Sequence, residues 1–148
     1  MINKIFTLIK NNLRYNGRHQ PMQQISVEHK VRLTGIAAPE RGQPFGQASK
    51  KYLASLVSGK EVFVEANKND RYGRVVGKVW VQPANCSVCG KTLGVNHAQL
   101  LVGMAWWYRY YSIQQSPEGR GRYESAEDEA KARGWGLWSE ADSINHYY

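Results

Sequence analysis

The stretch from Val31 to Glu40 combines residue types that could act together in acid–base chemistry. Its apolar, β-branched residues predict a strand that carries Arg32 and stops at Pro39. Glu40 follows the proline, so the strand would present a cation and, at its exit, a candidate general base. Taken alone, a strand arginine more often forms a surface ion pair, and a glutamate after proline is usually a solvated turn residue. Their role therefore depends on partners elsewhere in the chain.

The composition predicts one domain with an affinity for polyanions. The chain has 148 residues, enough to bury a core without disulfides or metal, and its net charge of +8 is spread along its length. Such a surplus favours nucleic acid or an anionic membrane surface as partner, although many solvated surfaces are simply cationic. The nine tyrosines and five tryptophans could stack on single-stranded bases or fill a β-rich core.

The sequence shows no membrane span and no complete export signal. No apolar run approaches the length that a bilayer requires. Residues 1–9 begin like a secretory signal, but Lys10, Asn11 and Asn12 interrupt the apolar stretch and no small-residue cleavage site follows.

Cys86 and Cys89 are the two cysteines of the chain. One such pair cannot close a tetrahedral zinc site, and with His97 as a third ligand a fourth is not evident. Four alternatives stay open: half of a metal site, a reactive dithiol, a small disulfide loop, or two plain thiols in a turn.

Alternating and β-branched residues predict five strands. The first three would form a meander around an Asn16–Gly17 turn, and the last two would form a hairpin across the turn-forming residues 67–73. An aromatic extended segment, Ala105–Tyr111, comes later. The five predicted strands are Lys4–Ile9, Gln24–Val27, Val31–Ile36, Glu61–Ala66 and Arg74–Val81.

Helical spacing and capping residues predict three helices. Gly59 is placed to end the first, and the third has a start signal at Ser116–Glu118 and a stop at Gly134. Trp135, Leu137 and Trp138 would then form a hydrophobic clasp. The predicted helices are Pro44–Val57, Asn96–Gly103 and residues 117–133. Together these elements predict an α+β fold, a five-stranded OB-fold-like β-barrel with about three α-helices, whose open face commonly receives oligonucleotides.

Several motifs together resemble the staphylococcal-nuclease-like (thermonuclease) family. Their order and spacing agree with that family over residues 31–139. The resemblance implies a domain at 31–139, a divergent N-terminal segment at 1–30 that holds the first barrel strands, and a loose tail at 140–148. The matching motifs are Arg32–Glu40, Gln43–Gly46, Asp70–Arg74, Val95–Asn96, Gly103–Ala105 and Gly136–Trp138.

The resemblance implies calcium-assisted hydrolysis of DNA and RNA phosphodiesters. Attack of water builds negative charge on the phosphate oxygens, and the family's two arginines, here Arg32 and Arg74, would hold it bidentately. Glu40 would act as general base or orient the water. Arg74 could instead pair with Asp70 across the loop. The positions that match the family's nucleotide contacts are Arg71, Tyr72 and Tyr111.

The calcium-binding part of the family pattern differs in this chain. The family holds calcium with two aspartates, and Ala37 occupies one of these positions. The other belongs to an Asp-Gly-Asp-Thr motif that aligns best with Ile9–Leu13, where Asn12 replaces an acid. Ala38 would offer its backbone carbonyl alone. Because a hard cation prefers charged oxygens, we expect weak Ca²⁺ binding unless another acid, such as Glu28, substitutes.

Two functions follow from this pattern. The first is a metal-assisted endonuclease that cleaves DNA and RNA with little sequence preference, impaired by the missing acids. The alternative is a catalytically weak or inactive nucleic-acid-binding module of OB type. Retention of Arg32, Glu40 and Arg74 favours catalysis, and the missing acids favour binding. We expect a monomer with DNA and RNA as partners and no membrane, and the resemblance implies a secreted or periplasmic location.

Overall fold

A computed structural model describes residues 2–15 and 21–139 of the chain, where a mixed β-sheet packs with three α-helices. The predicted α+β class is confirmed. The predicted Asn16–Gly17 turn and the 140–148 tail lie outside the described residues. The strands are β1 (Ile2–Tyr15), β2 (Pro21–Ala38), β3 (Phe63–Asn69), β4 (Val75–Val81), β5 (Leu93–Gly94) and β6 (Trp106–Trp107). The helices are α1 (Gly46–Val57), α2 (Val95–Leu101) and α3 (Pro117–Arg133), with 3₁₀ helices at Arg109–Gln114 and Gly136–Trp138.

The sheet has the strand order β1–β2–β4–β3, with β5 added to β4 and β6 added to β2. β2 runs antiparallel to β1 and parallel to β4, and β3 and β4 form the predicted hairpin. The OB-like arrangement is confirmed, and its described pairings leave the sheet open between β1 and β3. Across the described ranges, no helix combines the length and apolarity needed to cross a membrane.

The predicted three-strand meander at the start of the chain is wrong. β2 is one strand that includes both predicted strands Gln24–Val27 and Val31–Ile36, and it pairs with β1 along its length. Backbone pairing with β1 continues through the polar residues 28–30 because a ladder hydrogen bond does not need an apolar side chain. The predicted domain boundary at residue 30 falls inside this strand, and the division into three segments stays a prediction.

A bulge at Gly35 redirects the end of β2. On β1 the paired residues move from Ile5 to Asn3, whereas on β2 they move from Arg32 to Ala37, so β2 has extra residues in this interval. Gly35 lies within it and has φ +77°. A Cβ at Gly35 would approach the Gln115 side chain to 2.9 Å, so the position needs glycine for space as well as for φ.

Two apolar clusters hold the sheet and helices together. The larger lies between β2, β4 and the helices, and the smaller lies at the end of β2. Asn96 crosses the larger one, accepting from the Val79 N–H (3.2 Å) and donating to the Thr34 carbonyl (3.0 Å). Major members of the larger cluster are Val31, Leu33, Val79, Leu100 and Ala126; the buried members of the smaller are Ala37, Trp106, Ala130, Leu137 and Trp138.

The two ends of α3 follow their local signals. Ser116 caps α3 by accepting from the Gly119 N–H at 3.0 Å, and Gly134 ends it with φ 65°. Of the predicted clasp, Leu137 and Trp138 are buried, whereas Trp135 is 41% exposed and contacts the Arg133 guanidinium instead.

The predicted extended segment Ala105–Tyr111 is only partly a strand. β6 pairs with Ile36 and Ala37, and the next residue along, Tyr108, meets the Gly35 bulge. Since the bulge interrupts the ladder, the chain turns into the 3₁₀ helix Arg109–Gln114. Among the alternatives for the cysteines, the structure has the small disulfide loop, Cys86–Cys89, between β4 and β5.

Candidate active site

Arg32 lies on β2, and Arg74 directly precedes the neighbouring strand β4. β2 and β4 run parallel with Val31 opposite Val75 and Arg32 opposite Val76, and Arg74 directly precedes Val75. Because side chains alternate along a strand, Arg74 and Val76 share a sheet face with Arg32. Arg32 is 9% exposed, so its cation lies in a largely desolvated position. The register therefore brings the two predicted phosphate-binding arginines to one face of the sheet.

Asp70 fixes the turn that carries Arg74. Its Oδ1 accepts from the N–H groups of Tyr72 (2.9 Å) and Arg74 (3.0 Å), and its Oδ2 accepts from Arg74 Nε at 2.6 Å. Burial raises the pKa of Asp70, but the hydrogen bonds and charge of Arg74 and the Tyr72 amide outweigh it and hold the pKa below its ordinary value. The alternative pairing of Arg74 with Asp70 is thus present. It uses the Nε–H, and an arginine has four further N–H donors for a bidentate contact.

Tyr72 is presented beside two cations. Its ring is 69% exposed, and the Cζ atoms of Arg71 and Arg74 each lie 5.1 Å from the ring centroid. Such cation–π contacts contribute about 0.5–1 kcal/mol at exposed sites. An exposed ring flanked by guanidinium groups can stack on a base while the cations meet its phosphate.

Glu40 lies in a short turn at the exit of β2. Its N–H donates to Gln43 Oε1 (2.7 Å) and its carbonyl accepts from the Gln43 N–H (2.9 Å). Gly46 begins α1 so close to this turn that a Cβ there would clash with the Glu40 carbonyl oxygen. Glu40 is exposed and lies just after the end of β2, the strand that carries Arg32. Its backbone is therefore fixed in an exposed turn.

The position of the family's aspartate is apolar here. Ala37 and Ala38 are each 1% exposed, and Ala37 packs in the cluster with Trp106 and Trp138. Within the described part of the chain, no group of three His, Cys, Asp or Glu side chains could hold a metal. The Asn12 side chain lies outside the described residues. The donors described around Ala37 do not fit a calcium site.

Tyr111 belongs to the 3₁₀ helix Arg109–Gln114, and its side chain lies outside the described residues. The segment is joined to β2 through the Tyr108 N–H, which donates to the Gly35 carbonyl at 2.8 Å. It is joined to α3 by Glu127, a fully buried carboxylate that accepts from the Trp107 N–H (2.6 Å) and from Arg109 (2.8 Å). The same carboxylate contacts Lys131 at 3.0 Å.

Two residues that hold the elements of the site together cannot be identified from the sequence alone. Glu127 occurs on the small-residue face of α3, and an acid on an otherwise apolar helix face is the available signal for a buried carboxylate with several donors. Asn96 occurs in the Val95–Asn96 motif without any local sign that its amide bridges β2 and β4.

Comparison with known proteins gives matches over most of this chain. Residues 30–140 match the family model described as staphylococcal nuclease homologue. Protein ParB of Escherichia coli is 37% identical over 115 residues, 78% of this chain and 63% of ParB. An uncharacterized endonuclease of Haemophilus influenzae is 38% identical over 115 residues, 78% of this chain and 56% of that protein. The micrococcal nuclease of Shigella flexneri is 38% identical over 114 residues, 77% of this chain and 63% of that nuclease. The chain thus spans less than two thirds of the length of these relatives.

Proposed function

The chain belongs to the staphylococcal nuclease family, and from that premise we propose that it is an endonuclease that hydrolyses phosphodiester bonds of DNA and RNA with little sequence preference. Relatives that bear the names micrococcal nuclease and endonuclease support this assignment. The observation that carries it is the parallel register of β2 and β4, which puts Arg32 and Arg74 on one sheet face. The net charge of +8 suits a polyanionic substrate.

In this proposal the two arginines and one glutamate divide the chemistry. Arg32 and Arg74 donate to the non-bridging phosphate oxygens, where charge grows as water attacks phosphorus. Glu40 accepts the proton of the attacking water. The bond from phosphorus to the leaving sugar oxygen then breaks, and that oxygen takes a proton from solvent. Each donor of this kind is worth about 10²–10³ in rate.

The turn at Asp70 prepares Arg74 for this task. The ion pair to Nε holds the guanidinium before substrate arrives, so less side-chain freedom is lost on binding. Arg71 and Tyr72 contact the nucleotide next to the scissile phosphate, and Tyr111 contacts it from the 3₁₀ helix. The Asp70 pairing and the catalytic role of Arg74 are therefore compatible.

Calcium contributes less here than the family pattern implies. In that pattern the cation neutralises the phosphate and positions the water, and its binding relies on carboxylates. Ala37 supplies none, so the Ala38 carbonyl is the remaining family ligand of this stretch. We expect calcium to bind weakly and cleavage to be slow, with charge stabilisation left to the arginines.

A binding module is the second candidate, because the apolar packing of Ala37 removes a metal ligand and leaves the cationic face intact.

We propose that the protein acts as a monomer. A secreted or periplasmic location remains part of the proposal, and the Cys86–Cys89 disulfide supports it because disulfides persist in oxidising compartments.

A cleavage assay separates the two candidates. Plasmid and single-stranded DNA are incubated with the protein in calcium and then in chelator, and retention on a gel is followed at several salt concentrations. The nuclease proposal predicts nicked or shortened product in calcium, with at most a small decrease of the rate in chelator. Salt-sensitive retention of DNA that stays intact in calcium would contradict the nuclease proposal and support the binding module.

A further inference from the structure

A second cationic site lies away from the Arg74 turn, where β4 meets α2 and α3. A cavity of about 30 Å³ opens there, more than the ~10–15 Å³ that one water needs. Three basic side chains line it, one from each element, and its lining contains no carboxylate. These residues are Lys78 on β4, His97 on α2 and Arg122 on α3.

The positive charge of this cavity comes from Lys78 and Arg122. Among the residues that the structure describes, neither Lys78 nor Arg122 forms an ion pair. Glu65 lies opposite Lys78 across the β3–β4 ladder and accepts from the indole N–H of Trp80 at 3.2 Å, so it offsets part of the Lys78 charge without forming an ion pair. Glu118 and Glu129 line an adjoining cavity beside His97 and Arg122, and Glu129 is paired with Arg133. Two cations that have no ion-pair partner favour a bound anion, and His97 can donate a hydrogen bond to that anion as a neutral imidazole.

The surroundings of the cavity favour a phosphate that carries a base. Trp80 lines the cavity and is half-buried, and Phe63 lies opposite it on β3 with 55% of its surface exposed. Aromatic faces beside cations are the combination that binds single strands, with stacking worth about 1–3 kcal/mol per base. A merely solvated cationic surface would not require exposed aromatic residues next to it.

We propose that Lys78, His97 and Arg122 form a second phosphate-binding site, which takes a backbone phosphate of a single-stranded nucleic acid while Phe63 and Trp80 stack on a base. Lys78 lies four residues after Arg74 and on the same face of the sheet. At ~3.3 Å per residue, the two positions are about 13 Å apart along the strand. One OB-type fold contacts about 4–16 nucleotides, so one strand can reach both places. That the strand is also the substrate rests on the proposed function; phosphate binding itself does not.

Amide shifts of the ¹⁵N-labelled protein in chelator test the site. Inorganic phosphate and, separately, oligothymidylate are titrated, with Gly94 and Gly119 as reporters of the cavity and Gly73 as reporter of the Arg74 turn. Both ligands should shift Gly94 and Gly119. In the Lys78→Gln/Arg122→Gln variant these shifts should disappear while the Gly73 shift remains. The matched control, Lys50→Gln/Lys51→Gln on exposed positions of α1, removes the same charge and should keep all shifts.

The salt dependence of oligothymidylate binding gives a second readout. Loss of this phosphate contact should lower the slope of log K against log salt by about 0.7, the value for one contact on single strands, and the control should keep the parent slope. Arg122→Gln alone, at an exposed position, should lower it by about half as much, which guards against misfolding of the double variant.

The outcomes distinguish this site from the nuclease proposal. Absence of shifts at Gly94 and Gly119, or equal slopes for the variant and the control, overturns the site. Shifts with inorganic phosphate but not with oligothymidylate overturn its assignment to nucleic acid. Cavity shifts without a Gly73 shift, in a protein that does not cleave DNA, support the phosphate site and contradict the nuclease proposal.

Discussion

The substitution Ala37→Asp restores the aspartate that the family has at this position. It tests whether the surroundings of residue 37 in the folded protein allow that aspartate to bind calcium. By sequence the change should create a calcium ligand. In the structure the Ala37 side chain is 1% exposed and packs against Trp106 and Trp138. The new carboxyl group would enter an apolar cluster. We therefore expect the variant to lose stability without gaining calcium affinity.

The magnitude follows from two costs. Burying a neutral polar group without a hydrogen-bond partner costs about 1–3 kcal/mol in protein mutational data, and an ionised carboxylate costs more. Extra atoms in a packed site cost about 1–3 kcal/mol more. The sum, about 2–6 kcal/mol, is a large part of the ~5–15 kcal/mol typical of a folded domain.

Urea unfolding of the parent and of Ala37→Asp, in millimolar calcium and in chelator, measures both effects. Ala37→Asn is the control, since it has a similar shape without the charge and should be destabilised to a similar extent. Calcium at 100 times its dissociation constant would return about 2.7 kcal/mol of stability. A variant as stable as the parent in chelator, or one that calcium restores selectively over Ala37→Asn, would refute the reasoning.

Three further predictions concern the turn, the buried acid and pH. Asp70→Asn should lower kcat/KM roughly 10²-fold, because Arg74 loses the partner that positions it, while circular dichroism stays unchanged; an unchanged kcat/KM would contradict this role. Glu127→Gln should lower the free energy of unfolding by about 3–5 kcal/mol, since two basic side chains lose their buried counter-charge; urea unfolding measures it, and a loss within experimental error would contradict it. Burial, with Arg122, lowers the pKa of His97 below its ordinary 6.5, so the unfolded chain binds more protons and stability should fall as the pH drops below 6.5. Melting curves of the parent and of His97→Gln from pH 8 to 5 check this. Equal slopes of melting temperature against pH for the two proteins would contradict the prediction.

The parts of the fold with local signals could be predicted from sequence. Ser116 and Gly134 bound α3 because caps act within one turn of the helix. The β3–β4 hairpin was likewise marked by its turn formers. The continuity of β2 could not be predicted, because it depends on backbone pairing with β1 and not on its own side chains.

The candidate site divides in the same way. The residue types at positions 32, 40 and 74 can be read from motifs, but the register that joins Arg32 and Arg74 results from non-local pairing of β2 with β4. Likewise, the cluster around Ala37 is made by Trp106 and Trp138, which are distant in sequence. The Cys86–Cys89 spacing fitted four alternatives, and only the folded loop distinguishes them.

The most direct test of the nuclease proposal compares Arg74→Ala with Arg133→Ala in cleavage of single-stranded DNA. Both changes remove an ion-paired arginine, but Arg133 lies at the far end of α3. The proposal predicts that kcat/KM falls about 10²–10³-fold for Arg74→Ala, with its fold intact, and stays at the parent value for Arg133→Ala. Equal rates for the two variants would contradict the assignment of Arg74 to the scissile phosphate.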